Sequence, residues 1–143
     1  NPSTANETTL DPTSRVIERI AQDNGCDGWW LMNLCPTRTP QPKNLPKRKN
    51  KPLLLQNIKV LSQLLNDTSP SITMVLCCWG NHINDRKYLE EQAQIILNEI
   101  TTAQLPLYCI GKTKLGNPYH PAPRVVNRFF GGVHKLKLQE FNF

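Results

Sequence analysis

At 143 residues, with 38% hydrophobic and 20% charged residues, the chain has the length and composition of a single folded domain spanning residues 1–143 with its own core. No apolar run approaches the roughly 20 residues of a membrane-spanning helix, and no signal peptide is visible, so membrane-protein classes drop out and a cytoplasmic protein is expected. The formal charge of +6 favours an anionic partner, nucleic acid or a nucleotide first, against the plain alternative of a merely basic soluble protein.

In chain order, "NPSTANETTL" is a loop of small polar residues with no strand before it. Asp11 is a good helix N-cap and Pro12 suits the first helical position. Val16, Ile17, Ile20 and Ala21 then give one apolar face at helical spacing, and Gly25 is placed to end that helix. "GWWLMNL", residues 28–34, is a nearly continuous apolar run and predicts a strand buried on both faces. Residues 35–52 hold five prolines and six basic residues (Arg38, Lys43, Lys47, Arg48, Lys49 and Lys51) and predict a long loop, functional or mobile.

"LLLQNIKVLSQLLND" predicts an amphipathic helix, and "SITMVLCCWG" a second buried strand ending in Trp79-Gly80. Residues 84–102 predict a helix with Leu89, Ala93, Ile96, Leu97 and Ile100 on its buried side. "LPLYCIG" predicts a third strand, and "KTKLGNPYHPAP" a loop with a turn at Gly116-Asn117-Pro118. Residues 124–143 form a C-terminal extension, in which "VHKLKLQEF" alternates apolar and polar residues as an edge strand or appended arm does.

The five cysteines (Cys26, Cys35, Cys77, Cys78 and Cys109) are odd in number and form no C-x-x-C pair, which suits reduced core residues. His82, His120 and His134 are scattered, so no metal site is expected, and no organic cofactor is implied. The oligomeric state is not readable. Strands alternating with helices predict an α/β fold: a three-layer α/β/α arrangement with a central, mostly parallel sheet. Ligands in such sheets bind beyond the carboxyl ends of the strands. Asn33, Trp79-Gly80 and residues 112–120 all fall at that edge, and Asn1 joins them if a first strand precedes it, which is the expectation here.

The succession "NPSTA", "DPT-x-R", an apolar strand carrying Asn-Leu, "WG" and "GKTKLGNPYHP" resembles an uncharacterised bacterial and phage family, domain of unknown function number sixteen forty-three. Members usually read "LGLTK" where this chain has "IGKTK", a departure that leaves Lys112 without a family role. Asn1-Pro2, Asn33, Trp79-Gly80 and His120-Pro121-Ala122-Pro123 also resemble, in order, four sites of the uracil-DNA glycosylase superfamily.

That second resemblance implies a uracil-DNA glycosylase-like fold and a DNA glycosylase-like hydrolase. Such an enzyme flips a base into a pocket, at a cost of a few kcal/mol. Asn33, offering both a donor and an acceptor, would read the base edge, with Trp79 beside it. A neutral His120 would stabilise the departing anionic base. Asn1 would orient the water, although an amide takes up no proton at neutral pH. Ser3 and Thr4 would hold a phosphate, as would the basic loop through Lys47, Arg48 and Lys49. Arg124 falls where many glycosylases carry an apolar wedge.

Each assignment has a plainer counterpart. Asn33 would satisfy loop backbone, His120 would support its proline-flanked loop, Ser3 and Thr4 would cap, Trp79 would pack, and Arg124 and the basic loop would be solvated surface. At the level of the whole protein, the expected function is nucleobase or nucleotide recognition within nucleic acid, with N-glycosidic hydrolysis. The alternatives are a non-catalytic nucleic-acid or protein interaction module on the same fold, and an enzyme acting on a free nucleotide.

Overall fold

The computed structural model describes residues 10–37, 39, 41–67 and 71–143. Asn1, Ser3, Thr4 and Arg38 lie outside the described residues.

Helix α1 spans Pro12–Asp23. It starts where the sequence says it should: the Asp11 carboxylate accepts the Ser14 amide at 2.7 Å, satisfying one of the helix's orphan donors. It ends as a Schellman motif. Gly25 takes a positive φ of 72°, its amide donates to Gln22 and the Cys26 amide donates back to Ala21. Helix α2 spans Lys51–Asn66, capped by the Asn50 side chain on the Leu53 amide, and so begins two residues before the apolar pattern does. Helix α3 spans Lys87–Thr102 and buries Leu89, Ala93, Ile96, Leu97 and Ile100 as expected, together with Tyr88 and Gln92. Residues 84–86, also expected in this helix, lie outside it. A tight 3-10 turn at Asn81–Asp85 precedes it, and Arg86 is extended.

The sheet is α/β in its composition but mixed in direction. Strand β1 (Val75–Leu76) runs parallel to β2 (Leu107–Cys109), with Val75 opposite Leu107. Strand β3 (Gln139–Glu140) runs antiparallel to β2, with Cys109 opposite Gln139, giving the order β1-β2-β3. The expectation of a mostly parallel sheet is corrected here. The segment expected as an edge strand or appended arm is the edge strand β3: it runs beside β2 in the opposite sense, and the Phe141 amide continues the ladder onto the Leu107 carbonyl at 2.9 Å.

A second correction concerns residues 28–34. They form no strand among the described residues, and Trp30 and Leu31 stand 65% and 53% exposed. Met32 and Leu34 still pack into the cluster of Leu61, Ile96 and Ile100. Apolar character brought this segment to the core; a strand needs in addition a neighbour that exchanges hydrogen bonds with it.

One helix is not among the expected elements: α4, Pro123–Phe130, at the start of the C-terminal extension. Pro123 opens it and Gly131, at φ 73°, closes it.

Helices cover both faces of the sheet. On one, Val75, Cys77, Leu107 and Cys109 meet Leu97 of α3 and Phe141. On the other, Leu76 and Ile110 meet Val16 and Ile20 of α1 and Val126 of α4. Alternation along the strands sends successive residues to opposite faces, which is how two such short strands support two separate apolar layers.

Candidate functional site

The carboxyl ends of β1 and β2 bring two of the sequence motifs together, Trp79-Gly80 and the loop that carries His120. Beyond β1 the chain passes Cys77 and Cys78 to Trp79-Gly80. Beyond β2 it enters a small hairpin-like loop. Lys112 bridges Pro118, the Thr113 amide donates to Asn117 at 2.8 Å, and the Tyr119 amide donates to Gly111 at 2.9 Å. One backbone bond, from the Gly80 amide to the Pro118 carbonyl at 2.9 Å, joins the two strand ends.

That bond seats His120 on Gly80. A Cβ added to Gly80 would lie 3.3 Å from the His120 Cβ. Gly80 also holds φ 71° and ψ −169°, a region essentially closed to other residues. The "WG" motif therefore has a local physical reason: the backbone needs glycine twice over, for its dihedrals and for the histidine against it. Pro118 and Pro121, on either side of His120, are among the most deeply buried side chains, so the loop that carries the imidazole is anchored at both shoulders.

The His120 ring keeps contact with solvent, but the protein around it withdraws part of it from water and holds its pKa below that of a free imidazole. The Asp11 carboxylate opposes this shift, and His82 adds to it. The shift favours the neutral imidazole, the form able to donate an N–H without carrying charge.

Asn33 is half-buried, and its carbonyl accepts from Asn57 Nδ2 of α2 at 2.9 Å. Trp79 packs edge-on to Phe141 and Phe143, with ring centroids 5.5 and 5.9 Å apart, and its buried indole N–H finds no hydrogen-bond partner among the described residues. Lys47, Arg48 and Lys49 are exposed just before α2; Lys49 is drawn to Glu91 on α3 at 2.7 Å. Arg124 is exposed in the first turn of α4, which packs on the opposite face of the sheet. The basic candidates are therefore divided between two sides of the molecule.

The basic loop itself is neither free nor featureless. Cys35, Thr39 and Leu45 are buried, and a short 3-10 turn forms at Pro42–Asn44. Arg86 reaches the carbonyls of Lys43 and Leu45 at 3.4 Å each, and the Tyr88 hydroxyl donates to that of Pro46 at 3.0 Å.

Several residues around the site were missed in the sequence. Asn81 Oδ1 accepts from Thr113 Oγ1 at 2.7 Å and from Asn117 Nδ2 at 3.2 Å, and Asn117 also donates to Asn84 at 2.7 Å. This knot fastens the loop after β2 to the turn after β1. The available signal was the polar run "NHIND" directly after Trp79-Gly80, too short of apolar residues to begin a buried helix. His82, read as ordinary surface, pairs through Nδ1 with Asp85 at 2.8 Å. Lys112 gains a structural role: its ammonium donates to the Asn142 carbonyl at 3.2 Å and lies 4.9 Å from the centre of the Phe141 ring.

A groove of about 540 Å³ opens between the end of α3 and Glu140–Phe143, and a smaller one of about 290 Å³ lies between the end of α1 and Trp29. Neither is lined by Asn33 or His120. Among the described residues no helix is long and apolar enough to cross a membrane. No curated protein matches the chain, and no solved structure does. The motif order set out above is that of a single family: the model described as "Protein of unknown function (DUF1643)" matches residues 1–122, and the chain belongs to that family.

Proposed function

We propose that the protein recognises a nucleobase within nucleic acid and hydrolyses its N-glycosidic bond, on a three-layer fold of the uracil-DNA glycosylase type, in the cytoplasm. The observation that supports this reading is the seating of His120 on Gly80 at the carboxyl ends of the parallel β1–β2 pair. A neutral imidazole N–H aimed at a departing base stabilises the charge that develops as the glycosidic bond breaks. Asn33 supplies a donor and an acceptor for a base edge. Placement of the attacking water falls to Asn1, outside the described residues.

The test is release of free base from oligonucleotides carrying uracil, hypoxanthine, mismatched or modified bases. His120→Ala is expected to lower the rate about 10²–10³-fold with little loss of affinity, since His120 acts on charge present in the transition state. Asn33→Ala should weaken discrimination between bases. Base release from none of these substrates would end the hydrolytic reading.

One observation favours a non-catalytic module as the second reading: Trp79, the aromatic candidate for the base, is already engaged edge-on by Phe141 and Phe143. Binding of oligonucleotides without base release would select the module. Turnover of a free nucleotide without a gel shift would select a nucleotide enzyme.

A further inference from the structure

The positive charge of the chain is not where its densest basic run lies. Residues 100–139 carry Lys112, Lys114, Arg124, Arg128, Lys135 and Lys137 and no aspartate or glutamate. These six equal the whole formal charge of +6, so the remainder of the chain, basic loop included, is electrically balanced.

Helix α4 stands in the middle of this segment, immediately after the His120 loop and beyond the residues that the family model matches. Arg124 and Arg128 are exposed and, four residues apart, share one side of the helix. At the helix end two consecutive phenylalanines part company. Phe130 turns inward, edge-on to Tyr119 at 5.5 Å and within 3.2 Å of where a Gly111 Cβ would be. Phe129 turns outward and is 53% exposed. Its ring is backed by Tyr119 in a tilted stack at 5.1 Å, and the Arg128 guanidinium lies 5.3 Å from its centre. The Lys135 side chain folds against Gly131 at the same end, its ammonium 3.5 Å from where a Cβ would stand.

We infer that the outer side of α4 is a docking surface for single-stranded nucleic acid, on which Phe129 stacks an unpaired base while Arg124, Arg128 and Lys135 follow the phosphates. This deepens the nucleic-acid reading of the His120 site and rests on it. An exposed aromatic ring braced by a second ring loses little entropy when a base covers it, and every base offers a flat face. A duplex keeps those faces stacked on one another, so the platform serves a strand whose bases are already open. Arg128 is exposed, and its long side chain can leave the ring for a phosphate as the base arrives. The apolar ring amid cations, with no acidic residue in the segment, fits a polyanion with aromatic faces.

The experiment is an anisotropy titration of the whole protein with a labelled single strand of about 16 nucleotides, a length covering the upper site size of a stacking module, and with its duplex. Phe129→Ala should weaken single-strand binding by about 5- to 150-fold, the range that loss of one stacked base gives, and duplex binding by much less. Phe129→Trp should restore it and Phe129→Leu should not. Joint Arg124→Gln and Arg128→Gln should flatten the salt dependence, each lost phosphate contact removing about 0.7 from the logarithmic slope. Joint Lys47→Gln and Arg48→Gln should change it less. Circular dichroism of each variant shows that the fold is kept. Wild-type affinity in Phe129→Ala, or equal rescue by leucine, overturns the platform and leaves the His120 reading standing. A wild-type protein that binds no oligonucleotide overturns the nucleic-acid reading itself, and the platform with it.

Discussion

Residues 35–50 and residues 111–122 are both basic loops punctuated by proline, yet they are held by opposite means. The first hangs on side-chain contacts with residues 86–91: Arg86 on two carbonyls, Tyr88 on a third, and Glu91 paired with the loop's own Lys49. The second is held by its own backbone and by one backbone bond from Gly80, with the Asn81–Thr113–Asn117 contacts as reinforcement. A loop fastened by borrowed side chains can be released one contact at a time. A loop fastened by main-chain geometry fails when a residue that cannot adopt that geometry is placed in it. The second kind of loop carries His120, and the role proposed for that residue calls for a fixed position.

The strongest way to break this contrast is Gly80→Ala. Alanine must enter a backbone region costing about 1–3 kcal/mol and press on His120. Urea unfolding should report a loss of that order, and the His120 ring resonances should move. A variant as stable as the wild type would mean that the strand end relaxes, and that the two loops are less different than described.

Tyr88→Phe should be milder. It removes the donor to the Pro46 carbonyl at 3.0 Å, a net loss of about 0.5–1.5 kcal/mol. Its sharper signature is locality: amide exchange should quicken around residues 43–46 while the His120 resonances stay in place. Movement at His120 would couple the loops.

The smallest effect belongs to Lys49→Gln. Lys49 and Glu91 are both substantially exposed, and exposed pairs are screened by solvent and salt. The urea midpoint should stay within error at physiological salt, and a clear drop would make this ion pair a fastening comparable to Tyr88.

The helices were legible because each carried its punctuation: Asp11 and Gly25 around α1, and the apolar spacing of α2 and α3. The same punctuation stood around α4, Pro123 before it and Gly131 after it. Its opening Pro123 also ends "HPAP", a proline-rich stretch with the character of a loop, so the helix start is hidden in the motif before it. The strands were less legible, since an apolar run records burial and not pairing. "LPLYCIG" and "GWWLMNL" look alike in sequence; only the first finds neighbours on both sides among the described residues.

At the site, the contact between Gly80 and His120 could be anticipated from two motifs falling at strand ends. The asparagine knot could not, because Asn81, Thr113 and Asn117 are separated in sequence and meet only when the two strand ends do. Charge was legible in total and misleading in place: the eye goes to "KNLPKRKNK", whereas the excess resides in residues 100–139, where the basic residues are spaced out and unopposed.

To an electrophile the five sulfurs are very unequal targets. Cys35, Cys77 and Cys109 are enclosed, and withdrawal from water pushes the thiols of Cys77 and Cys78 up to about 12 and about 11, so almost none of either is thiolate, the reactive form, at neutral pH. Cys26 sits half-exposed in the turn that closes α1, at the rim of the smaller groove. The fold thereby offers one accessible handle near the end of a rigid helix, a position from which an attached dye would view the neighbouring Trp29 while the core thiols stay silent.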